Sequence, residues 1–437
     1  MFHSLLSTSI TKIRRSRRAS SGAPGNGRRV AFNFRHRLLF RTVHSFFRPP
    51  PRITSHGCTD LHGRSQTVPS PQMITPSNEA EGSLVTDSIS LPPPPPSSRC
   101  HSCGYPSDSR PGLTFDAGVC SACRNFFNRA AIDFEARQVW LKNLVARSHS
   151  RGTSGFDCAV AVSGGKDSTA IVKMLFESFG VSRALLIHVP KVFTLTKVGK
   201  ENLENLTKRF NVDLLSIQPN KQDVLESVQN DFFEELNPGK RIGRDVYDLP
   251  SAVCRRFGIP LLFYGENGEY EYGSASRLET HVHSVESGVE AIYLGAVVPY
   301  SAHEWHQLAR SVGFRDLSDT REWYRQGQIE GYSEIDSFGH AIAVWTKFVK
   351  FGAQRVSDIS SRLVRERRLS VEAAIQLNED LDWIVDPQAL DDFCDTLRIA
   401  PSLFWETVDR HANHRLVAKD AAGHWKRRDL LELRRDA

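Results

Sequence analysis

The sequence lacks any apolar run of the ~18–20 residues that a helix needs to cross a bilayer. No repeat recurs at solenoid spacing. No apolar h-region follows the first charges, which excludes a secretory signal of the usual form. Methionine is scarce, three in 437 residues. Acid is nearly absent from residues 1–72, which hold one, Asp60, against thirteen Lys and Arg. The net charge of +6 is therefore an average over unlike parts. The other 365 residues carry 43 basic and 49 acidic side chains. A slightly acidic body has no field to draw in nucleic acid, which argues against that partner. The composition, 24% charged and 40% hydrophobic, excludes a collagen, a coiled-coil rod and a wholly disordered chain. The length suits two or three domains.

Residues 1–72 are rich in Arg, Ser and Pro. They are too charged and too weakly apolar to offset the entropy of ordering them. Three readings fit: an Arg-rich, acid-poor transit peptide, a basic arm for nucleic acid or anionic lipid, or sequence upstream of a true start at Met73. Residues 74–98 have no periodicity and end in five prolines, Pro92 to Pro96, which suit an extended spacer. Folded structure is expected to begin near Arg99.

Four of the eight cysteines fall as Cys100-x2-Cys103 and Cys120-x2-Cys123, with sixteen residues between the pairs. Each CxxC knuckle points two thiolates at one centre, and two knuckles complete the tetrahedron that Zn²⁺ accepts. So short a segment cannot build its own apolar core, so a metal staple makes physical sense. A four-thiolate iron–sulfur cluster is the competing reading, because thiolate count does not separate the two. Two disulfides would need an oxidising compartment. Cys158 and Cys254 read as buried apolar residues.

Residues 127–147 have helical spacing. Residues 156–162, FDCAVAV, then suit a buried parallel strand. Ser163-Gly164-Gly165-Lys166-Asp167-Ser168 follows, and the residues after it carry helical periodicity as far as Gly180. Strand, glycine-rich loop and helix N-terminus together make an anion site, with converging N–H groups and a favourable helix dipole. It is not a Walker A loop. Val160 stands where that pattern needs Gly, and Asp167 where it needs Ser or Thr. Further strands are predicted at 183–189, 213–219, 259–265 and 291–299, with helices at 199–210, 221–236 and 247–257. Strands alternating with helices argue for a doubly wound parallel sheet with ligand at the strand C-termini. Residues 320–415 are expected to be mainly helical and to cover that crevice.

SGGKDS resembles the PP-loop of the ATP pyrophosphatases. The resemblance implies an α/β fold with a doubly wound parallel sheet of the PP-loop (adenine nucleotide alpha hydrolase-like) type. With it are expected an N-terminal zinc-knuckle segment and a helical C-terminal region. It also implies that ATP is cut at the α phosphate and AMP passes to a substrate oxygen. Ser163, Gly164, Gly165, Lys166, Asp167 and Ser168 would grip the nucleotide. Lys166 and the loop amides would stabilise the leaving pyrophosphate, and Asp167 would help hold Mg²⁺. His188, closing the second strand, falls where this family seats adenine. Glu266, after the fourth strand, faces the same crevice with Asn267 and Glu269.

The resemblance extends further. RCHSCGYPSDSRPGLTFDAGVCSACRNF before the loop, then NLENL (202–206), IPLLFYGENGEYEYG (259–273) and KFVKFGAQRVSDISSRLVRERRLS (347–370), are similar to the N-acetyl sugar amidotransferases of lipopolysaccharide and flagellar glycan pathways. That family implies an ATP-dependent, AMP- and pyrophosphate-forming sugar amidotransferase, located in the cytoplasm. The amide oxygen of an N-acetyl sugar, usually nucleotide-linked, takes AMP and is then replaced by ammonia to give an acetamidino sugar. Because the sequence shows no glutaminase signature, the resemblance implies a separate glutaminase subunit as partner. ATP, Mg²⁺ and structural Zn²⁺ at Cys100, Cys103, Cys120 and Cys123 are the implied cofactors. Two departures stand out: GKRIGRDVYDLP (239–250) lacks a Cys-His pair, and FGAQRVSD (351–358) replaces a FGYGR-type run. Lys347, Lys350 and Arg355 would suit a diphosphate.

The alternative is a tRNA thiolase, which also joins zinc knuckles to an SGGKDS loop. Against it stand 43 basic and 46 acidic groups in residues 99–437, and no paired cysteines near the loop. The histidine pairs His281/His283 and His303/His306 read as surface or loop residues. The expected layout is a disordered basic leader and Pro-rich linker over 1–98, a zinc-knuckle segment over 99–125, a PP-loop domain over 126–320 and a mainly helical region over 321–437.

Overall fold

The computed structural model describes residues 99–107, 109–151, 155–265, 273, 282–286 and 288–428. A short hairpin, β1 (Phe115–Asp116) and β2 (Val119–Cys120), leads into α1 (Ser121–Asn128) and α2 (Phe134–Arg151). The single helix predicted at 127–147 is in fact two. A 3-10 turn at Arg129–Ala131 interrupts it, and the Asp133 carboxylate accepts from the Ala136 N–H to open a new helix.

Strands and helices then alternate as the periodicity predicts: β3 (Cys158–Ala161), α3 (Lys166–Ser178), β4 (Ala184–His188), α4 (Lys197–Phe210), β5 (Asp213–Ser216), α5 (Lys221–Glu235), α6 (Gly239–Phe257) and β6 (Leu261–Tyr264). Helix α6 starts eight residues before the predicted 247 and carries Pro250 in its interior. Pro250 has no N–H to give its helix, and its ring crowds the preceding turn, so a bend is expected there. Next come β7 (Val282–Glu286), β8 (Val289–Tyr293) and α7 (Ala302–Arg310), in a stretch where the sequence suggests a strand alone. The C-terminal region is α8 (His340–Phe351), α9 (Arg355–Arg365), α10 (Val371–Leu381), α11 (Pro387–Leu397) and α12 (Pro401–His411), then the hairpin β9 (Val417–Lys419) and β10 (Trp425–Arg427).

The main sheet has the order β5-β4-β3-β6-β8-β7. Five strands are parallel, and β7 is an antiparallel edge strand turned back from β8 beside Gly288, at φ +84°. Side chains alternate along β3. Cys158 and Val160 pack on Leu141, Ile171, Leu175 and Trp305, while Ala159 packs on the other face with Cys254 of α6. Helices thus cover both faces, which is why these strands read as unbroken apolar runs. From central β3 the chain runs to β4 and β5 on one side, then crosses to β6 on the other. That reversal opens a crevice at the C-terminal end of β3, where the glycine loop begins.

The helical region joins the sheet domain through an aromatic core. Phe232 of α5 lies 5.3 Å from Phe393 of α11 and 5.5 Å from Phe404 of α12, ring centre to ring centre. The cysteine segment packs on α9 and α10. Tyr105 and Arg110 both donate to the buried Asp358 carboxylate, at 3.1 and 3.2 Å.

Candidate active site

The loop between β3 and α3 is shaped by its backbone. Gly164 stands at φ +82°, a left-handed conformation that glycine adopts without strain. A Cβ there would lie 2.8 Å from the Gly199 carbonyl oxygen. Gly165 opens α3 with no side chain capping it, so the first helical N–H groups have no partner of the helix's own. The Ser163 hydroxyl accepts from the Gly165 N–H at 3.2 Å. Ser168 and Thr169 turn their hydroxyls back to donate to the Gly165 carbonyl, at 3.0 and 2.9 Å, and brace the loop from behind. The result is an anion cradle with an open mouth.

Lys166 is 3% exposed, so its charge needs a partner. Its Nζ lies 2.7 Å from both Asp167 carboxylate oxygens and donates to the Tyr300 hydroxyl at 3.0 Å. The Tyr300 hydroxyl in turn donates to Asp167 at 3.2 Å. The Tyr332 ring sits 5.4 Å from the same Nζ, a cation–π contact. Behind Tyr332, the His306 ring lies tilted against it at 4.6 Å and pairs with Asp316 at 2.9 Å, so His306 is a buttress and not a surface residue. Gly265, after β6, lies against Asp167, where a Cβ would be 3.0 Å from the Asp167 Cβ.

These groups form one wall of a cleft of about 350 Å³. The strand ends and α6 contribute Ile187, Val189 and Pro250. The opposite wall is the C-terminal region: Tyr332 to Asp336, His340, Arg355 and Arg362. Lys191 reaches across to that wall, 2.8 Å from Asp336 and 3.5 Å from Glu334. Burial alone would lower the Lys191 pKa, but the two carboxylates outweigh it and hold the amine charged. Burial alone would raise Glu334. Lys191 and His340 outweigh that and keep its carboxyl well below the usual range.

The structure thus brings Ser163, Gly165, Lys166, Asp167 and Ser168 to one cleft, with Gly164 shaping the loop from behind. His188 is placed differently. Its ring turns to the Val162 carbonyl, 3.0 Å from Nδ1, and burial lowers its pKa, while its neighbours Ile187 and Val189 line the cleft. Glu266, Asn267, Glu269 and His281 lie outside the described residues, as does the side chain of His283. Of the three basic residues singled out for a diphosphate, Arg355 lines the cleft, and Lys347 and Lys350 do not. Lys350 donates to the Glu235 carbonyl at 3.3 Å, and burial, with Lys347 beside it, lowers its pKa to about 8. Sequence reasoning missed Lys191, Tyr300, Tyr332, Glu334, Asp336, His340 and Arg362. The clustered charge of Glu334, Asp336 and His340 beside an apolar helix was the available signal.

The four cysteines form a second centre. Their Sγ atoms lie within 4.8 Å of one another, all buried, with Cys100 to Cys123 at 3.9 Å and Cys103 to Cys120 at 3.8 Å. Tetrahedral Zn–S bonds of ~2.3 Å imply S···S edges of about 3.8 Å. A disulfide would bring the sulfurs to about 2.05 Å, so the donor set fits a four-thiolate metal ion and not two bridges. The ion would hold the knuckles closed and has no open position for chemistry.

Fold and loop together define an α/β protein whose glycine-rich loop lies at the switch point of a mainly parallel sheet, the arrangement the resemblance to PP-loop proteins implies. Within it, residues 327–431 match the family described as LPS biosynthesis protein WbpG-like, C-terminal domain. That agrees with the resemblance to lipopolysaccharide-pathway amidotransferases seen in residues 347–370. The match includes every cleft residue from Tyr332 to Arg362. An uncharacterised protein of Methanocaldococcus jannaschii, MJ1599, is 22% identical over 277 residues, 63% of this chain and 91% of that protein. Two solved structures overlap it loosely. NMN synthetase from Francisella tularensis is 13% identical with a TM-score of 0.32, over 61% of this chain and 94% of that one. NH3-dependent NAD synthetase from Campylobacter jejuni is 12% identical with a TM-score of 0.31, over 64% and 95%. Overlaps this loose carry no argument about the chain.

Proposed function

We propose that the protein is an ATP-dependent amidotransferase that adenylates the amide oxygen of a nucleotide-linked N-acetyl sugar and replaces it with ammonia. The observation that carries this reading is the shared cleft: the SGGKDS loop forms one wall, and the WbpG-like region forms the other. An amide oxygen is a poor leaving group, and transfer of AMP makes it a good one. The loop N–H groups and Lys166 would hold the β and γ phosphates and stabilise pyrophosphate as it leaves. To do so Lys166 must share its charge with phosphate as well as with Asp167. Asp167 would then be available to Mg²⁺, which favours few carboxylates plus phosphate oxygens. Arg355 and Arg362, on the facing wall, suit the diphosphate of the sugar carrier. Cys100, Cys103, Cys120 and Cys123 would hold structural Zn²⁺, and the knuckle they close braces α9 through Tyr105, Arg110 and Asp358. The proposed layout keeps 99–125 as the knuckle, 126–320 as the nucleotide domain and 321–437 as the acceptor side. The proposed setting is cytoplasmic, with ammonia from a separate glutaminase subunit, as the family resemblance implies.

The test supplies ATP, Mg²⁺, ammonium and a panel of nucleotide-linked N-acetyl sugars, and follows AMP, pyrophosphate and sugar mass. AMP together with a sugar lighter by one mass unit, oxygen replaced by NH, is the expected result. AMP formed only with tRNA and a sulfur donor would move the protein to the thiolases.

A further inference from the structure

The strap Tyr332–Asp336 and the start of α8 hold a pair of groups that ATP activation leaves unused. His340 lines the cleft, and its Nε2 lies 3.1 Å from Glu334 Oε2. An ionised carboxylate can only accept, so Nε2 carries a proton, and the neutral ring then keeps its lone pair on Nδ1. Nδ1 is buried and has no hydrogen-bond partner among the described residues. Among the described residues the other acids on the cleft wall are engaged: Asp167 by Lys166 and Tyr300, and Asp336 by Lys191.

The pair is held firmly. Glu334 stands at φ +51°, an arrangement that costs a non-glycine residue free energy and persists only where its surroundings impose it. Here the Thr196 hydroxyl donates to the Ile335 carbonyl, the Thr196 N–H donates to the Asp336 carbonyl, and Arg325 donates to the Ser333 and Glu334 carbonyls. On the other side, Asp392 accepts from the Gly339 N–H at 2.8 Å and fixes the entry to α8. Strain maintained at a cleft wall is the pattern of a functional position.

We propose that His340 Nδ1 is the base that takes a proton from ammonia as it displaces AMP, with Glu334 fixing the tautomer. The inference rests on the amidotransferase reading above. Ammonia forms its N–C bond to the adenylated carbon with three protons on nitrogen, and the amidine product keeps two. The third passes to Nδ1, and the electron pair of the breaking C–O bond leaves with AMP. If the proton stayed, the attacking nitrogen would be the better leaving group and would fall back.

The test separates the two half-reactions in the full chain. Acceptor-dependent exchange of labelled pyrophosphate into ATP reads adenylation, and amidine formation from ammonium reads the second step. For H340N we expect exchange within about threefold of the unaltered chain and amidine formation lower by at least about a hundredfold. E334Q, whose amide can donate to Nε2 and move the ring proton to Nδ1, should show the same split. Hydroxylamine, a stronger nucleophile that needs less help from a base, should recover part of the lost turnover in H340N. Thermal melting of H340N and H340A within a few degrees of the unaltered chain keeps folding out of the result. Exchange and amidination falling together, or neither falling, would overturn the proposal while leaving the amidotransferase reading in place. No exchange in the unaltered chain with any N-acetyl acceptor would sink that reading, and the proposal with it.

Discussion

Two walls of one cleft are built on opposite plans. The phosphate loop is six consecutive residues whose useful groups are backbone N–H donors at a helix start. Its geometry follows from local rules: a strand, a glycine at positive φ and a helix. The facing strap, Tyr332–His340, works through side chains and is set in place by distant partners, Lys191, Thr196 and Asp392. A nucleotide's phosphates are always alike, and a contiguous backbone motif serves them. An acceptor is particular, and recognising it takes side chains brought together by the whole fold.

Substitutions on each wall separate the two plans. The largest effect is expected on the loop wall: K166A should lower AMP formation about a thousandfold, measured as initial rate at saturating ATP. It also leaves Asp167 without its cation, so thermal melting should accompany the rates. Removing the proposed zinc from the cysteines should come next. Loss of a structural ion of this kind removes several kcal/mol of folding free energy, and the knuckle's hold on Asp358 should go with it. Melting before and after a thiol-specific chelator, with zinc added back, checks this. G164A should then weaken ATP binding and destabilise the fold by about 1–3 kcal/mol, because its Cβ meets the Gly199 carbonyl. Titration calorimetry with ATP and urea unfolding read the two parts. On the facing wall, R355A should raise the acceptor KM about tenfold with the ATP KM unchanged, while K347A, outside the cleft, should change neither.

The smallest effect concerns pH. Burial pushes the Asp382 carboxyl up to about 7, against hydrogen bonds from Ser357 and Gln354. The folded chain therefore holds a proton there that the unfolded chain releases near pH 4. Stability from this group falls as pH rises from about 4 to 7. D382N should flatten that fall in urea unfolding measured at each pH.

What the sequence disclosed follows the same division. The glycine loop, the alternating strands and the paired CxxC knuckles are local patterns with fixed spacing, and the structure sets each on its expected element. The break between α1 and α2 was hidden because Asp133 works as a cap only once the chain turns at Arg129–Ala131. The antiparallel edge strand β7 was hidden because edge pairing leaves no parallel-sheet signature. Lys347 and Arg355 look alike in sequence, eight residues apart, but the turn at Gly352, φ +65°, separates their helices and sends them to different surroundings. His340 and Glu334 were invisible because their pairing requires a left-handed residue that no local rule predicts.

In the proposed reaction the acceptor's own amide oxygen takes the adenylyl group across this cleft. That transfer is tested most directly by labelling the acetamido oxygen of the nucleotide-linked sugar with ¹⁸O and weighing the products of a single turnover with ATP and ammonium. The expected result is ¹⁸O in AMP and none in pyrophosphate. AMP without the label, alongside an aminated sugar, would contradict it.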